Sequence, residues 1–202
     1  MDERRMKRKA ELERSTKETK IRVTLDLDGE AVIKVATGLP FMDHMLEAFA
    51  RHGRFGLQVE ACGDLQVDSH HTMEDLGLVI GTVLRQALGD KAGIVRFGSA
   101  LVPMDEALAQ VVIDLSGRPH LSWRAAMPAA HVNGIPVRLF REFFQALVNT
   151  GGLTVHVSLQ AGEEEHHCLE AIFKAFGRAL RQAVEMDAAA KGKVPSTKGV
   201  LD

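Results

Sequence analysis

Apolar residues alternate with polar ones from Thr19 onward, where Ile21, Val23, Leu25 and Leu27 fall on one side of an extended chain. Asp28-Gly29 follows, and Ala31, Ile33 and Val35 alternate again. The pattern predicts a hairpin turning at the Asp-Gly pair. Gly38-Leu39-Pro40 ends that strand. Met42, Met45, Leu46 and Phe49 then recur at helical spacing, predicting a helix over 41–51 closed by Gly53. Phe55, Leu57 and Val59 alternate as a further strand, and residues 70–88 read as a second helix ended by Gly89-Asp90.

The second half follows the same order. ALAQVVIDL (107–115) reads as a strand, 139–148 as a helix, 153–157 as a strand and 166–184 as the last helix. The tail KGKVPSTKGVLD reads as loop. Before Thr19 the pattern is lost: residues 1–17 are so polar that they read as a flexible arm or a frayed helix.

This order is an internal duplication. HHTMEDLGLVIGTVLRQAL (70–88) and HHCLEAIFKAFGRALRQAV (166–184) share 8 of 19 positions at an offset of 96. FGLQV (55–59) pairs with LTVHV (153–157) at an offset of 98, and TLDLDG (24–29) with VIDLSG (112–117) at 88. The fold class is therefore α+β, built from two β-β-α-β-α-like halves with helices packed on one face of each sheet. The expected organisation is an arm over 1–14 and one pseudosymmetric domain over 15–202. Its halves span about 15–92 and 93–190, with a C-terminal loop over 191–202. Each half is small for an independent core, so the two are expected to share one.

Charge and composition narrow the function. With 25 Lys and Arg against 27 Asp and Glu, the formal charge is −2, which disfavours a nucleic-acid binder driven by bulk charge. Tyr is absent and there is one Trp, so a stacking platform for single strands is not expected. No apolar run approaches a bilayer span, and the charged N-terminal stretch does not read as a signal peptide. Two cysteines, Cys62 and Cys168, do not make a disulfide scaffold. A cytoplasmic protein with no membrane or nucleic-acid partner is expected.

Nine histidines carry the chemistry, and several are clustered. His70, His71 and Glu74 form HHxxE on a predicted helix, and His166, His167 and Glu170 repeat it. Either histidine can share a helix face with the glutamate. The two histidines of a pair lie about 100° apart around the axis, which directs them to different ions. Imidazole with carboxylate suits a first-row divalent ion. The duplication adds His44, which aligns with Glu142 at the offset of 98. The candidate ligand set is thus His44, His70, His71, Glu74, Glu142, His166, His167 and Glu170, in two related quartets. His120, His131 and His156 read as ordinary surface or core residues. Arg96, Arg118, Lys174, Ser196 and Lys198 could hold an oxyanion such as phosphate. The PSTKG segment lacks the spacing of a nucleotide-binding loop.

GLPFMDHML, DSHHTMEDLGLVIG, RFGSALVPMDEAL, DLSGRP, EEEHHCLEAIFKAFGRAL and VPSTKGVL together resemble the imidazoleglycerol-phosphate dehydratase family, lyases of histidine biosynthesis. The likeness covers roughly residues 15–202 and is similar to the monofunctional form. It implies two halves that each carry a four-stranded sheet. It also implies a homo-oligomer of 24 subunits with metal sites between subunits, and two Mn(II) ions per active site, other first-row divalent ions being competent. The implied substrate is D-erythro-imidazoleglycerol phosphate, which loses water to give imidazoleacetol phosphate through a metal-bound imidazolate and a diazafulvene-like intermediate. Glu18 matches the family's acid/base glutamate, with Glu106 as its repeat partner. The carried-over catalytic group is Glu18, His44, Glu74 and Glu170. Substrate contacts fall to Glu18, His44, His52, His70, Arg96, Arg118, His166, Lys174, Ser196 and Lys198. Many members have Glu-His-Phe-Phe where this chain has Arg141-Glu142-Phe143-Phe144, so Glu142 stands at a histidine ligand position. Two other classes use the same clusters. A di-metal hydrolase would need a bridging carboxylate and a nucleophilic water. A metal-storage shell would not need Arg96, Arg118 and Lys198.

Overall fold

Strand β2 (Thr19–Asp26) buries every second residue, and both of its edges are occupied. This settles the path of the first half in the computed structural model, which describes residues 8–29, 32–190, 192–199 and 201. One edge of β2 takes β1 (Lys9–Ser15), antiparallel, and the other takes β4 (Gly56–Gly63), also antiparallel. Strand β3 (Ile33–Ala36) pairs with β4 in parallel, giving the order β1-β2-β4-β3.

Three expectations change here. There is no Asp28-Gly29 hairpin between β2 and β3, because no free edge of β2 remains for β3. The Asp26 carboxylate accepts the N–H groups of Asp28 and Gly29 and turns the chain, which then crosses to the far side of β4. Next, residues 9–14 of the expected flexible arm belong to β1. Its apolar alternation is only Ala10 and Leu12, and charges that suit a sheet edge obscure it. Glu11 and Glu13 pair with Arg22 and Lys20 on β2. Residues 1–7 lie outside the described residues. Finally, Gly53 is not the left-handed residue that ends the first helix: that residue is Arg54, at φ 54°.

The second half repeats the plan. Strands β5 (Phe97–Met104), β6 (Ala107–Asp114), β7 (His120–Arg124) and β10 (Thr154–Ala161) give the order β5-β6-β10-β7, with β7 parallel to β10. A small ribbon, β8 (His131–Val132) with β9 (Ile135–Pro136), occupies the insertion. Each half is thus β-β-β-α-β-α. The two four-stranded sheets correspond strand for strand, as the duplication requires.

Four helices lie between the sheets: α1 (Pro40–Gly53), α2 (His70–Leu88), α3 (Arg138–Gly151) and α4 (Glu165–Val184). Helix α2 packs on β1 and β2, and α4 on β5 and β6. The closest helix neighbours cross between halves, α1 with α4 and α2 with α3. Glycines allow these approaches. A Cβ on Gly77 would stand 2.3 Å from the Phe143 carbonyl oxygen, and one on Gly81 would stand 2.3 Å from that of Leu147. Gly177 meets the Phe49 carbonyl in the same way, at 2.4 Å. Contacts advance in step along each pair, so the paired helices are parallel. Phe41, Phe140 and His166 bring the first turns of α1, α3 and α4 together. Phe140, Phe143, Phe144, Phe173 and Phe176 fill the centre, all fully or almost fully buried. Each is worth roughly 1.5–3 kcal/mol of burial. The helices therefore hold their N-terminal turns, and the histidines on them, at one end of a rigid layer.

Candidate metal and phosphate sites

His44 lies in the first turns of α1, while His166 and Glu170 are one turn apart on α4. The parallel contact of these helices brings the three together. The Nε2 atoms of His44 and His166 each lie 3.2 Å from Glu170 Oε2. One ligand atom from each residue falls within a 4.8 Å circle, and among the described residues this is the group of three donors that converges. Adjacent donors around a first-row ion with bonds of about 2.1 Å stand roughly 3 Å apart, so the set fits such an ion. Glu170 is only 7% exposed. Burial raises its carboxyl, but hydrogen bonds from Lys174 and His44 outweigh that and hold it at about 2. Lys174 Nζ stands 2.6 Å from Glu170 Oε1, leaving Oε2 to face the histidines.

The pseudosymmetric set on α2 and α3 is looser. His70 Nε2 lies 3.6 Å from Glu74 Oε2, and Glu142 joins no group of three donors among the described residues. The second histidine of each pair turns elsewhere. The rings of His70 and His71 have centroids 6.0 Å apart at 86°, and those of His166 and His167 are 6.1 Å apart at 70°. His71 Nδ1 is 3.0 Å from Asp64 Oδ2, and its Nε2 is 3.9 Å from Glu18 Oε1. His167 Nδ1 is 2.8 Å from Glu106 Oε2. These carboxylates raise both histidines. In return the His167 hydrogen bond, with backbone N–H groups, lowers Glu106 to about 2.

Glu18 and Glu106 occupy repeat-related turns but differ in freedom. Glu106 Oε1 accepts the N–H groups of Glu163 and Glu164 while Oε2 holds His167. Glu18 is 55% exposed. Its backbone N–H is held by Thr16 Oγ1, which fixes the turn and leaves the carboxylate to reach outward.

The cationic residues divide into two places. His52 lies near Lys174 and Arg178. Burial, then those two cations, pushes the imidazole down and favours its neutral form. Arg178 follows Lys174 by one helical turn; the spacing Glu170, Lys174, Arg178 is present in the sequence, and of the three only Arg178 is not named by the sequence reading. Arg96, Arg118, Ser196 and Lys198 share a cavity of about 520 Å³ with Pro195, Thr197 and Leu201. Within it Arg96 is already engaged. It makes two bonds to Asp114 and donates to the Pro195 carbonyl, so it shapes the cavity and ties down the C-terminal loop. Arg118 and Lys198 line the remainder.

Within one chain this cavity is remote from the donor trio. Arg96 N–H bonds to the carbonyl of Ala183, at the far end of α4 from His166. Seventeen residues of helix at ~1.5 Å each place the two about 26 Å apart. Asp64 was not recognised in the sequence, since it lies six residues before His70 in a stretch with no other chemistry.

The family model for imidazoleglycerol-phosphate dehydratase matches residues 37–180. A Geobacter sulfurreducens imidazoleglycerol-phosphate dehydratase is 53% identical over 196 residues, covering 97% of this chain and all of that one. A Magnetococcus marinus dehydratase is likewise 53% identical over 97% of this chain and 99% of its own length. The crystal structure of the Staphylococcus aureus enzyme aligns with a TM-score of 0.80 at 39% identity, covering 88% of this chain and 99% of that one. The Pyrococcus furiosus structure aligns at 0.81 and 36% identity, covering 94% and 100%. On sequence and fold, this chain belongs to the imidazoleglycerol-phosphate dehydratase family.

Proposed function

We propose that the chain removes water from D-erythro-imidazoleglycerol phosphate to give imidazoleacetol phosphate, a step of histidine biosynthesis, in the cytoplasm. The observation that carries this reading is the pairing of an imidazole–carboxylate donor trio with a separate cationic cavity. Together they match the two ends of the substrate, an imidazole and a phosphate.

The ~26 Å between those features exceeds the substrate, whose ring-to-phosphate length is about 8 Å. One chain therefore cannot use its own trio and its own cavity on one molecule. The reading requires a homo-oligomer in which one copy presents the metal cluster and another the phosphate cavity, in keeping with the 24-subunit assembly that the resemblance implies. His71 and His167, whose Nε2 atoms lie outside the trio, would complete metal coordination across that interface, two Mn(II) per site. Glu142 with His70 and Glu74 would form the partner of the trio.

Bound Mn(II) would supply Lewis acidity toward the ring nitrogen and the departing hydroxyl. The protein residues do the rest. Arg118, Ser196 and Lys198 grip the phosphate in the cavity shaped by Arg96. Neutral His52 and cationic Lys174 face the same substrate from α1 and α4. Lys174 also keeps Glu170 ionised and oriented. Glu18 takes the proton from the unactivated carbon and returns one to the departing oxygen, for which an exposed carboxylate is suited. Its repeat partner Glu106 is committed to His167 and two backbone N–H groups and is not free for that work.

The test is turnover of the substrate by chelator-stripped protein with and without Mn(II). Activity restored by metal supports the reading. A folded, assembled protein that remains inactive with every first-row divalent ion refutes it.

A further inference from the structure

His71 and His167 occupy equivalent positions in the two halves, and in both the ring Nδ1 meets a carboxylate: Asp64 Oδ2 at 3.0 Å and Glu106 Oε2 at 2.8 Å. The two carboxylates are not equivalent. Asp64 follows β4, whereas Glu106 sits in the turn between β5 and β6, where its repeat counterpart is Glu18. Descent from a common half would keep the same residue at the same place. Here two different positions supply the same contact to the same ring nitrogen, which points to a requirement of the ring.

The local structure is arranged around these contacts. Asp64 is held by its own N–H, which donates to the Glu18 carbonyl. Its second oxygen, Oδ1, is buried without a hydrogen-bond partner among the described residues. A buried carboxylate oxygen left without a partner calls for a reason beyond fold stability. Glu106 is fixed by the N–H groups of Glu163 and Glu164. A carboxylate accepts only, so Nδ1 carries the hydrogen, and in the neutral ring the lone pair is left on Nε2.

We propose that Asp64 and Glu106 are positioning residues that hold His71 and His167 in the tautomer and orientation that present Nε2 to a metal ion. The proposal rests on the metal-dependent reading above. It assigns the two histidines outside the donor trio a preset ring orientation, with Nε2 of His71 toward Glu18 and Nε2 of His167 toward Asp105. It also accounts for the difference between the halves. With Asp64 holding His71 Nδ1, Glu18 is released from the duty that Glu106 performs, and its exposed carboxylate stands instead on the Nε2 side of that ring, 3.9 Å away.

The experiment is Mn(II) affinity of the assembled, metal-stripped protein, measured by competition with a chelator, for wild type, Asp64→Ala, Asp64→Asn and Glu106→Gln. Removal of such a partner is expected to weaken affinity about 10–100-fold. Asp64→Asn keeps an acceptor oxygen and should recover part of the loss. Glu106→Gln has one acceptor oxygen for two duties and should lose affinity although its size is unchanged. Thermal unfolding of the metal-free proteins separates a fold defect from a binding defect. Wild-type affinity retained within twofold in all three variants overturns the proposal, whatever their melting points. If wild type itself binds no Mn(II), the metal-dependent reading fails and the proposal with it.

Discussion

The separation of the donor trio from the cationic cavity has a sharp consequence for mixed assemblies. Arg118→Ala removes a cavity cation, and His166→Ala removes one of three converging donors. A charge-assisted hydrogen bond to phosphate is worth ~2–3 kcal/mol, so Arg118→Ala should lower kcat/KM by about 30–150-fold. His166→Ala should lower activity at least as far. The cavity that Arg118 lines sits by the end of α4 opposite His166, about 26 Å along that helix, so the two defects affect different sites if each site draws on two copies. In a randomly mixed 1:1 assembly, half of the cavities and half of the trios are intact. About one quarter of the sites then combine both, and roughly a quarter of wild-type activity should return. If trio and cavity served one substrate within one chain, no site would be intact. The assay is co-expression of the two variants with different tags, tandem purification of hybrids, and turnover per subunit. Hybrids no more active than the mean of the parents would refute the geometry on which the proposed site rests.

Other perturbations test neighbouring parts of the reasoning. Gly81→Ala puts a Cβ 2.3 Å from the Leu147 carbonyl, and overpacking of this kind should cost about 1–3 kcal/mol, read from denaturant midpoints at fixed protein concentration. Asp64 and Glu106 raise the metal-free pKa values of His71 and His167, so Mn(II) must displace protons near and above pH 6.5. Affinity should therefore rise with pH through the raised pKa values, and calorimetry in buffers of different ionisation enthalpy should show proton release; none at pH 6.5 would count against these ligands. Glu170 is held at about 2, below the unfolded carboxyl value, so its contribution to metal-free stability is present above about pH 4.5 and lost as pH falls toward 2. Glu170→Gln should flatten that acid limb in unfolding curves. Glu142→His replaces a harder donor by imidazole and should shift metal preference from Mn(II) toward Zn(II), measured by competitive loading.

How much of this was legible in the sequence follows from what each feature depends on. Helices α2 and α4 are legible because their apolar period is strong and their repeats share His, His and Glu in register. Strand β1 was hidden because an edge strand keeps its charges, and Lys9–Ser15 offers only Ala10 and Leu12 to the period. The false hairpin arose because Asp28-Gly29 is a local turn signal, whereas strand order is decided by which edges of β2 are taken. The HHxxE motifs announced metal chemistry, but sequence could not divide the labour within each pair. That division depends on Asp64 and Glu106, which come from non-equivalent segments and meet the rings only in the folded chain. The helix carries the reason for the split: His166 at i and Glu170 at i+4 share a face, while His167, a hundred degrees around, must find its partner on another element. Under the proposed function, the same geometry makes an oligomer part of the active site. Four parallel helices keep the imidazole–carboxylate groups at one end of the layer, and the cationic cavity sits where β5 begins, at the far end of α4. If the two places serve one substrate, a chain built this way completes its site only by meeting another copy of itself.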